Sequence, residues 1–194
     1  MDGSYWTQRL VRHACERLIS LVRILRAVRR PLALILLFAL ASSAAAQTPA
    51  LDALADLELT DQHGRSDSLG AHRGQTVVAM VVTAKRLRNL KAWERDFRNR
   101  SEGIHFLRIA DIPSDPPTTY ERVARKLNER VPEDVSVLID MDSAWATELE
   151  LDSGRPNILV IDADGTLLAS FRGRFEPELA EEVFAAIEKA LGDD

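Results

Sequence analysis

The sequence predicts an α/β domain with a central mixed β-sheet, helices on both faces, a late β-hairpin and a C-terminal helix. Three patterns favour this class. Residues 75–83 are almost continuously apolar and β-branched, as in a strand buried on both faces. Strand and helix patterns alternate after this run, which is typical of an α/β sheet. Two later strand patterns joined through residues 163–165 predict the hairpin.

The first half of the domain is predicted from periodicity and turn residues. Apolar side chains at helical spacing over residues 87–100 predict a helix with its charges outward. Thr118 or Thr119 is expected to cap a later helix, with Val123 and Leu127 facing inward. The elements predicted in this half are a short strand running into a Gly turn at 57–64, a turn or single helical turn at 66–73, strands at 75–83 and 105–110, and helices at 87–100 and 120–130.

The second half continues the alternation. Pro132 ends the preceding helix, and acidic residues in the first turns of the last helix suit its dipole. Trp93, Trp145 and Phe171 are interpreted as core aromatics. The elements predicted in this half are strands at 135–140, 157–162 and 166–171, and helices at 143–149 and 176–191.

Residues 1–46 have the pattern of a secretory signal peptide. Seven Arg stand against two acidic residues in residues 1–30, and an uncharged apolar run follows at 32–40. This run is shorter than the roughly 20 residues that a transmembrane helix needs, and small residues precede Gln47. We expect cleavage after about Ala46 and export to the periplasm. The alternative is an uncleaved inner-membrane anchor with the domain facing the periplasm.

Charge supports this division into a signal peptide (1–46), a lead-in segment (47–56) and a folded domain (57–194). Without residues 1–46 the chain keeps 18 basic and 28 acidic residues, a net charge of −10. A domain this acidic does not have the overall charge of a general nucleic-acid binder. No nucleic-acid partner is therefore expected.

The chain offers little catalytic chemistry. Cys15 is the only cysteine, and it lies in the predicted signal peptide, so the mature domain has neither a thiolate nor a disulfide. His63, His72 and His105 are interpreted as separate solvated or structural residues, because no triad spacing connects them. Acidic turns at 140–142 and 162–165 lack the closing Glu of a calcium loop. We expect no catalytic residue, cofactor or metal.

The element order, with the phrases at 57–64 and 155–165, resembles the thioredoxin-like superfamily. Within it, the resemblance is to the branch of alkyl hydroperoxide reductase/thiol-specific antioxidant proteins and exported thiol-disulfide oxidoreductases, over residues 52–191. It implies a cis peptide bond before Pro156. It also implies one or two cysteines where the first buried strand meets its helix, and here Leu87 and Leu90 occupy those positions.

A basic cluster replaces the cysteine motif, and its members are Lys85, Arg86, Arg88 and Lys91. Each cation near the start of a helix costs about 0.3–1 kcal/mol, and such local conflicts mark candidate sites. Together with Arg155 and Pro156, the cluster forms a candidate face for a carboxylate, a phosphate or an acidic peptide. The alternative is a solvated face whose cations pair with Glu94 and Asp96.

These observations predict an exported, non-catalytic binding module that uses the former active-site face. Its expected partner is another exported protein or peptide, with a small anion as a further candidate ligand. A thiol-disulfide oxidoreductase or antioxidant protein is the alternative that the resemblance implies, and it needs a cysteine. A membrane-anchored structural module is a third reading, and membrane contact is expected only if residues 1–46 remain attached.

Overall fold

The computed structural model describes residues 51–100 and 103–192. The predicted signal peptide and Cys15 lie outside the described residues. Within the described ranges, every helix is too short or too polar to cross a membrane.

Within the described residues, seven strands form a single sheet, accompanied by four α-helices and two 3-10 helices in addition to the helical residues 51–55. The strands are β1 (Leu59–Asp61), β2 (Ser66–Asp67), β3 (Thr76–Thr83), β4 (Ile104–Asp111), β5 (Leu138–Asp140), β6 (Asn157–Ile161) and β7 (Leu167–Arg172). The α-helices are α1 (Lys91–Arg100), α2 (Tyr120–Asn128), α3 (Ala144–Glu148) and α4 (Pro177–Gly192), and the 3-10 helices span Leu69–His72 and Ala84–Leu90.

The sheet is mixed, as the sequence predicts. Its strand order is β2-β1-β5-β4-β3-β6-β7. The central strands β3, β4 and β5 run parallel, and β6 and β7 add an antiparallel hairpin beside β3. At the other edge, β1 and β2 are antiparallel. The carboxyl ends of the three parallel strands therefore lie together, at the edge of the sheet perpendicular to the strands.

Helices cover both faces of the sheet. Alternate residues of β3 point to opposite sides: Val78 and Met80 pack with α1 and α4, whereas Ala79 and Val81 pack with α3 and with residues 51–55. The helix α2 packs through its own cluster against β4 and β5. The α/β class with helices on both faces is confirmed.

Local predictions hold where the side-chain signal is strong. Thr119 caps α2 by accepting a hydrogen bond from the N–H of Arg122, and Val123 and Leu127 are buried. Trp93 and Trp145 are core residues, and Phe171 packs at the edge of the core.

Three local features differ from the sequence prediction. The turn at 66–73 contains the short strand β2 and a 3-10 helix. The helix predicted from residue 87 begins as a 3-10 helix at Ala84 and becomes α-helical only at Lys91. Residues 51–55 are helical, and their Leu51 and Leu54 are buried, so this part of the lead-in belongs to the core.

The expected cis bond before Pro156 is wrong. In the described residues, the cis peptide bond joins Asp115 and Pro116. The loop before β6 is held with its own hydrogen bonds: the Asn157 side-chain amide donates to the carbonyl oxygens of Asp152 and Arg155, and the Pro156 carbonyl accepts from Gly173 N–H. This local network fixes the loop around a trans Pro156.

Candidate functional site

The candidate site lies at the edge where β3, β4 and β5 end. Connections at the carboxyl ends of parallel strands form ligand-binding crevices in open α/β sheets. The 3-10 helix Ala84–Leu90 leaves β3 there, and two grooves flank it. The loop before β6 joins the same edge, because Thr83 N–H donates to the Ser153 carbonyl at 2.8 Å.

The first groove, here called the proline groove, has a volume of about 550 Å³ and lies between the start of the 3-10 helix, the loop after β4, and α2. Its floor is apolar and its rim carries cations. The apolar lining includes Ile112, Pro113, Pro116, Pro117, Val123 and Leu127. The charged lining comprises Lys85, Arg86, Arg122, Lys126 and Arg130, with Asp111 and Asp115 as the acids.

The second groove, here called the α1 groove, has a volume of about 540 Å³ on the other side of the same 3-10 helix. Lys85 and Arg130 line both grooves. Its charged lining comprises Lys85, Arg88, Lys91, Arg95, Arg98, Arg108 and Arg130, with Glu94 as the acid.

In the part of the chain that the structure describes, most of these cations have no carboxylate within 4.0 Å. Among the described residues, the members of the basic cluster form no ion pair within 4.0 Å. Glu94 instead pairs with Arg108 at 2.8 Å, and Asp96 lies 3.8 Å from Arg100. The two acids that the alternative reading assigned to the cluster are thus paired elsewhere, so that pairing does not neutralise the cluster.

Two buried carboxylates lie side by side where β4 and β5 end, and one of them, Asp111, lines the proline groove. Asp111 and Asp140 are neighbours in register at the ends of β4 and β5, and both are almost fully buried. Burial raises the pKa of Asp140, hydrogen bonds from the N–H groups of Trp145 and Ala144 oppose this, and the nearby Asp111 charge adds to the rise. Asp111 Oδ2 accepts a hydrogen bond from Ser153 Oγ, whereas Oδ1 has no partner in the described part of the chain.

Several solved structures are similar to this one. The exposed lipoprotein thioredoxin Etrx1 of Streptococcus pneumoniae matches with a TM-score of 0.57 and 16% identity, covering 70% of this chain and 99% of that one. A putative electron transport protein from Aquifex aeolicus matches at 0.53 and 14%, covering 71% and 95%. A putative thiol:disulfide interchange protein DsbE from Chlorobium tepidum matches at 0.50 and 19%, covering 72% and 95%. The chain has a thioredoxin-like fold.

The likeness does not extend to sequence families. No family model and no curated protein sequence matches the chain. Identities this low show only that the fold is shared. Because one fold supports many functions, they do not show a shared function. The function therefore depends on the residues of the site and not on the fold.

The residues of the predicted binding face do not all lie in one groove. Lys85 and Arg86 line the proline groove, and Lys85, Arg88 and Lys91 line the α1 groove. In contrast, Arg155 is exposed outside both linings, although its neighbour Gly154 lines the proline groove.

Three further candidates are apolar and pack inward. Pro156 is buried. Leu90 is 1% exposed and packs in the cluster of α1 and α4, while the half-buried Leu87 contacts both this cluster and that of α2. Apolar packing thus occupies the two positions where the resemblance implies thiols.

Sequence reasoning missed the cations of α2 and of the turn that follows it. Arg122 and Lys126 lie four residues apart on one face of α2, Arg130 follows two residues after the helix ends, and all three line the proline groove. The spacing was visible in the sequence. Its approach to Lys85 was not, since it depends on how α2 packs across the sheet.

The histidines were also placed incompletely. His63 is exposed, as predicted. His72 and His105 are not separate, because their rings stack with centroids 3.5 Å apart. The parallel pairing of β3 with β4 brings the two together, which the sequence spacing alone does not reveal.

Proposed function

We propose that this thioredoxin-like protein is an exported binding module that holds an acidic, partly apolar segment of another exported protein against its two basic grooves. One observation carries the proposal. The grooves are lined by ten cationic and three acidic side chains, in a region of the chain, residues 47–194, with 18 basic and 28 acidic residues. More than half of the cations thus lie on one face of an acidic domain.

Charge complementarity defines the first property of the partner. Clustered cations without carboxylate partners repel one another, and a ligand that brings negative charge relieves the repulsion. The cations of the 3-10 helix and of α2 are exposed, so a partner reaches them without any rearrangement of the core. Carboxylates of Asp and Glu supply that charge in a protein segment.

The proline groove defines the second property. Its floor is apolar between two charged rims, which suits a segment that alternates acidic and apolar side chains. Asp111 lines this groove, and its Oδ1 is a buried acceptor without a partner in the described part of the chain. Buried acceptors are normally satisfied, and a backbone N–H of a bound segment is a donor of the right kind.

These features favour a peptide over other anions. A small anion uses the cations but leaves the apolar floor uncovered, and a nucleic acid is repelled by the net charge of the rest of the domain. The expected export, which rests on the pattern of residues 1–46, places the partner outside the cytoplasm. A membrane-anchored display of the same domain leaves the binding face unchanged.

The oxidoreductase alternative finds no support at this face. Residues 47–194 contain no cysteine, and thiol-disulfide exchange requires a thiolate. Leu87 and Leu90 occupy the positions implied for the thiols. The proposal is therefore for binding without catalysis.

The test is a binding measurement on the full chain. A fluorescent peptide of alternating Glu and Val is titrated against the wild type and against the triple variant Lys85→Ala/Arg86→Ala/Arg130→Ala. Exposed charge contacts contribute about 0.2–1 kcal/mol each, so loss of three contacts should weaken binding by roughly threefold to 150-fold.

Controls separate the face from general charge. The variant Arg172→Ala/Arg174→Ala/Lys189→Ala removes the same charge from exposed residues outside both groove linings, and it should bind like the wild type. A peptide of alternating Lys and Val should not bind. Equal losses in both triple variants, or tighter binding of a single-stranded oligonucleotide than of the acidic peptide, would reject the proposal.

A further inference from the structure

A second cluster of ligating side chains lies far from the grooves. Asp67 at the end of β2, His72 at the end of the first 3-10 helix and His105 near the start of β4 each place one potential ligand atom within 4.8 Å of the others. His105 pairs in register with Val77, near the start of β3. It lies six positions before Asp111 in β4, about 20 Å along the strand.

The three side chains are held in place by the fold. His72 Nε2 lies 2.7 Å from Asp67 Oδ1, and Asp67 Oδ1 also accepts the N–H of Ser68 at 2.8 Å. Ser68 caps the 3-10 helix that carries His72. The rings of His72 and His105 stack with an interplanar angle of 17°. All three residues are half-buried and open to solvent. Because the lone pairs of stacked rings lie in nearly parallel planes, one imidazole has to turn before both can bind the same ion.

The chemistry of this set matches one class of ligand. Two imidazole nitrogens and one carboxylate oxygen suit first-row transition metals, among which Zn²⁺ accepts such mixed donors in tetrahedral geometry. With metal–ligand bonds of about 2.0–2.1 Å, tetrahedral ligand atoms lie roughly 3.3 Å apart. The observed separations, from 2.7 Å to at most 4.8 Å, bracket this value.

We propose that Asp67, His72 and His105 form a binding site for a divalent transition metal ion of the Zn²⁺ class, with a fourth coordination position open to water. The ion would join the β2 and 3-10 segment to the start of β4. Because the site lies at the opposite end of β4 from the grooves, it is independent of the proposed peptide binding.

Isothermal titration of the full chain with Zn²⁺ tests this site. The background carries Cys15→Ser and His13→Gln, which remove the thiolate and the imidazole of the N-terminal segment. We expect one Zn²⁺ per chain, and an unfolding midpoint that rises with Zn²⁺ concentration. His72→Gln and His105→Gln should each weaken the affinity by about tenfold or more.

Matched variants keep the result interpretable. Asp67→Asn retains an oxygen that accepts the N–H of Ser68, so the variant should fold normally. Its affinity for Zn²⁺ should nevertheless be at least about tenfold weaker than that of the wild type. His63→Gln alters an exposed imidazole outside the cluster and should leave the affinity unchanged, as should Lys85→Ala/Arg86→Ala/Arg130→Ala. Absence of stoichiometric binding, or an affinity insensitive to Asp67→Asn and to both cluster His→Gln variants, would overturn the proposal and leave an ordinary His–Asp hydrogen bond.

Discussion

The strands β1 and β4 each end in a buried aspartate, and the two aspartates differ in their hydrogen bonding. Asp61 is 1% exposed, and both of its oxygens are bonded: Oδ1 accepts the N–H groups of His63 and Arg65, and Oδ2 accepts from Ser136 Oγ and the Arg65 guanidinium. Asp111 is 3% exposed, but one of its oxygens has no partner in the described ranges.

This difference separates a carboxylate that holds the fold from one that belongs to a site. A buried carboxylate with all its hydrogen bonds stabilises the native state. A buried carboxylate with an unsatisfied oxygen destabilises it, and such groups are commonly kept because function needs them. The like charge of Asp140 beside Asp111 adds to this cost. Measurements on the two aspartates should therefore give opposite signs.

The largest change in the free energy of unfolding is expected from substitution of Asp61. Asp61→Ala removes the acceptor of four hydrogen bonds and leaves Arg65 and Ser136 without their buried partner, so it should lower the free energy of unfolding by about 3 kcal/mol. Urea unfolding followed by circular dichroism measures the loss. Asp142→Ala, at an exposed position, should change stability by less than about 0.5 kcal/mol. Equal losses in the two variants would contradict a structural role for Asp61.

Acid should remove the same contribution. Burial raises the pKa of Asp61, but its hydrogen bonds from Arg65, Ser136 and His63 outweigh burial and lower the pKa from 3.8 to about 2. A lowered folded-state pKa stabilises the protein above the unfolded pKa, and this stabilisation is lost as the pH falls from about 4 through about 2.

The stability difference between wild type and Asp61→Ala should consequently shrink by about 2 kcal/mol between pH 6 and pH 2. Urea unfolding curves of both proteins across this range give the difference directly, since the other carboxylates titrate in both. A difference that stays constant with pH would show that the charge of Asp61 contributes nothing.

The smallest effect, with the opposite sign, is expected at the site. Asp111→Asn removes a buried charge that is incompletely bonded and lies beside Asp140, so it should raise the free energy of unfolding by about 0.5–1 kcal/mol at neutral pH. It should also lower the pKa of Asp140, because the neighbouring charge is one of the causes of its rise. NMR titration of the Asp140 carboxyl measures the second effect. A destabilised variant with an unchanged Asp140 pKa would place Asp111 with Asp61 as a structural residue.

Sequence reasoning reached the elements whose signals are local. The apolar run that became β3, the cap at Thr119 and the inward residues of α2 are all short-range patterns, and the structure confirms them. The 3-10 start at Ala84 was missed, because the apolar spacing from Leu87 onward fits an α-helix equally well. The strand β2 was missed because two residues carry no period.

The site was predictable only in part, since its residues come from distant segments. The cluster around Lys85 stood out as a local conflict between charge and helix dipole. Its continuation onto Arg122 and Arg130 depends on packing across the sheet, as does the contact of His72 with His105. Pro156 gives the opposite case. The resemblance to a family predicted a cis peptide bond there, but the bond is trans and the surrounding hydrogen bonds are local.

The measurement that tests binding at the grooves most directly is an NMR titration of the ¹⁵N-labelled chain with the Glu/Val peptide. We expect amide shifts to concentrate in the 3-10 helix Ala84–Leu90 and in α2, while β7 and α4 stay unchanged. Asp111→Ala should reduce the shifts of the neighbouring amides that line the proline groove. Shifts spread evenly over the exposed cations, or confined to β7 and α4, would contradict a binding face at the carboxyl edge of the sheet.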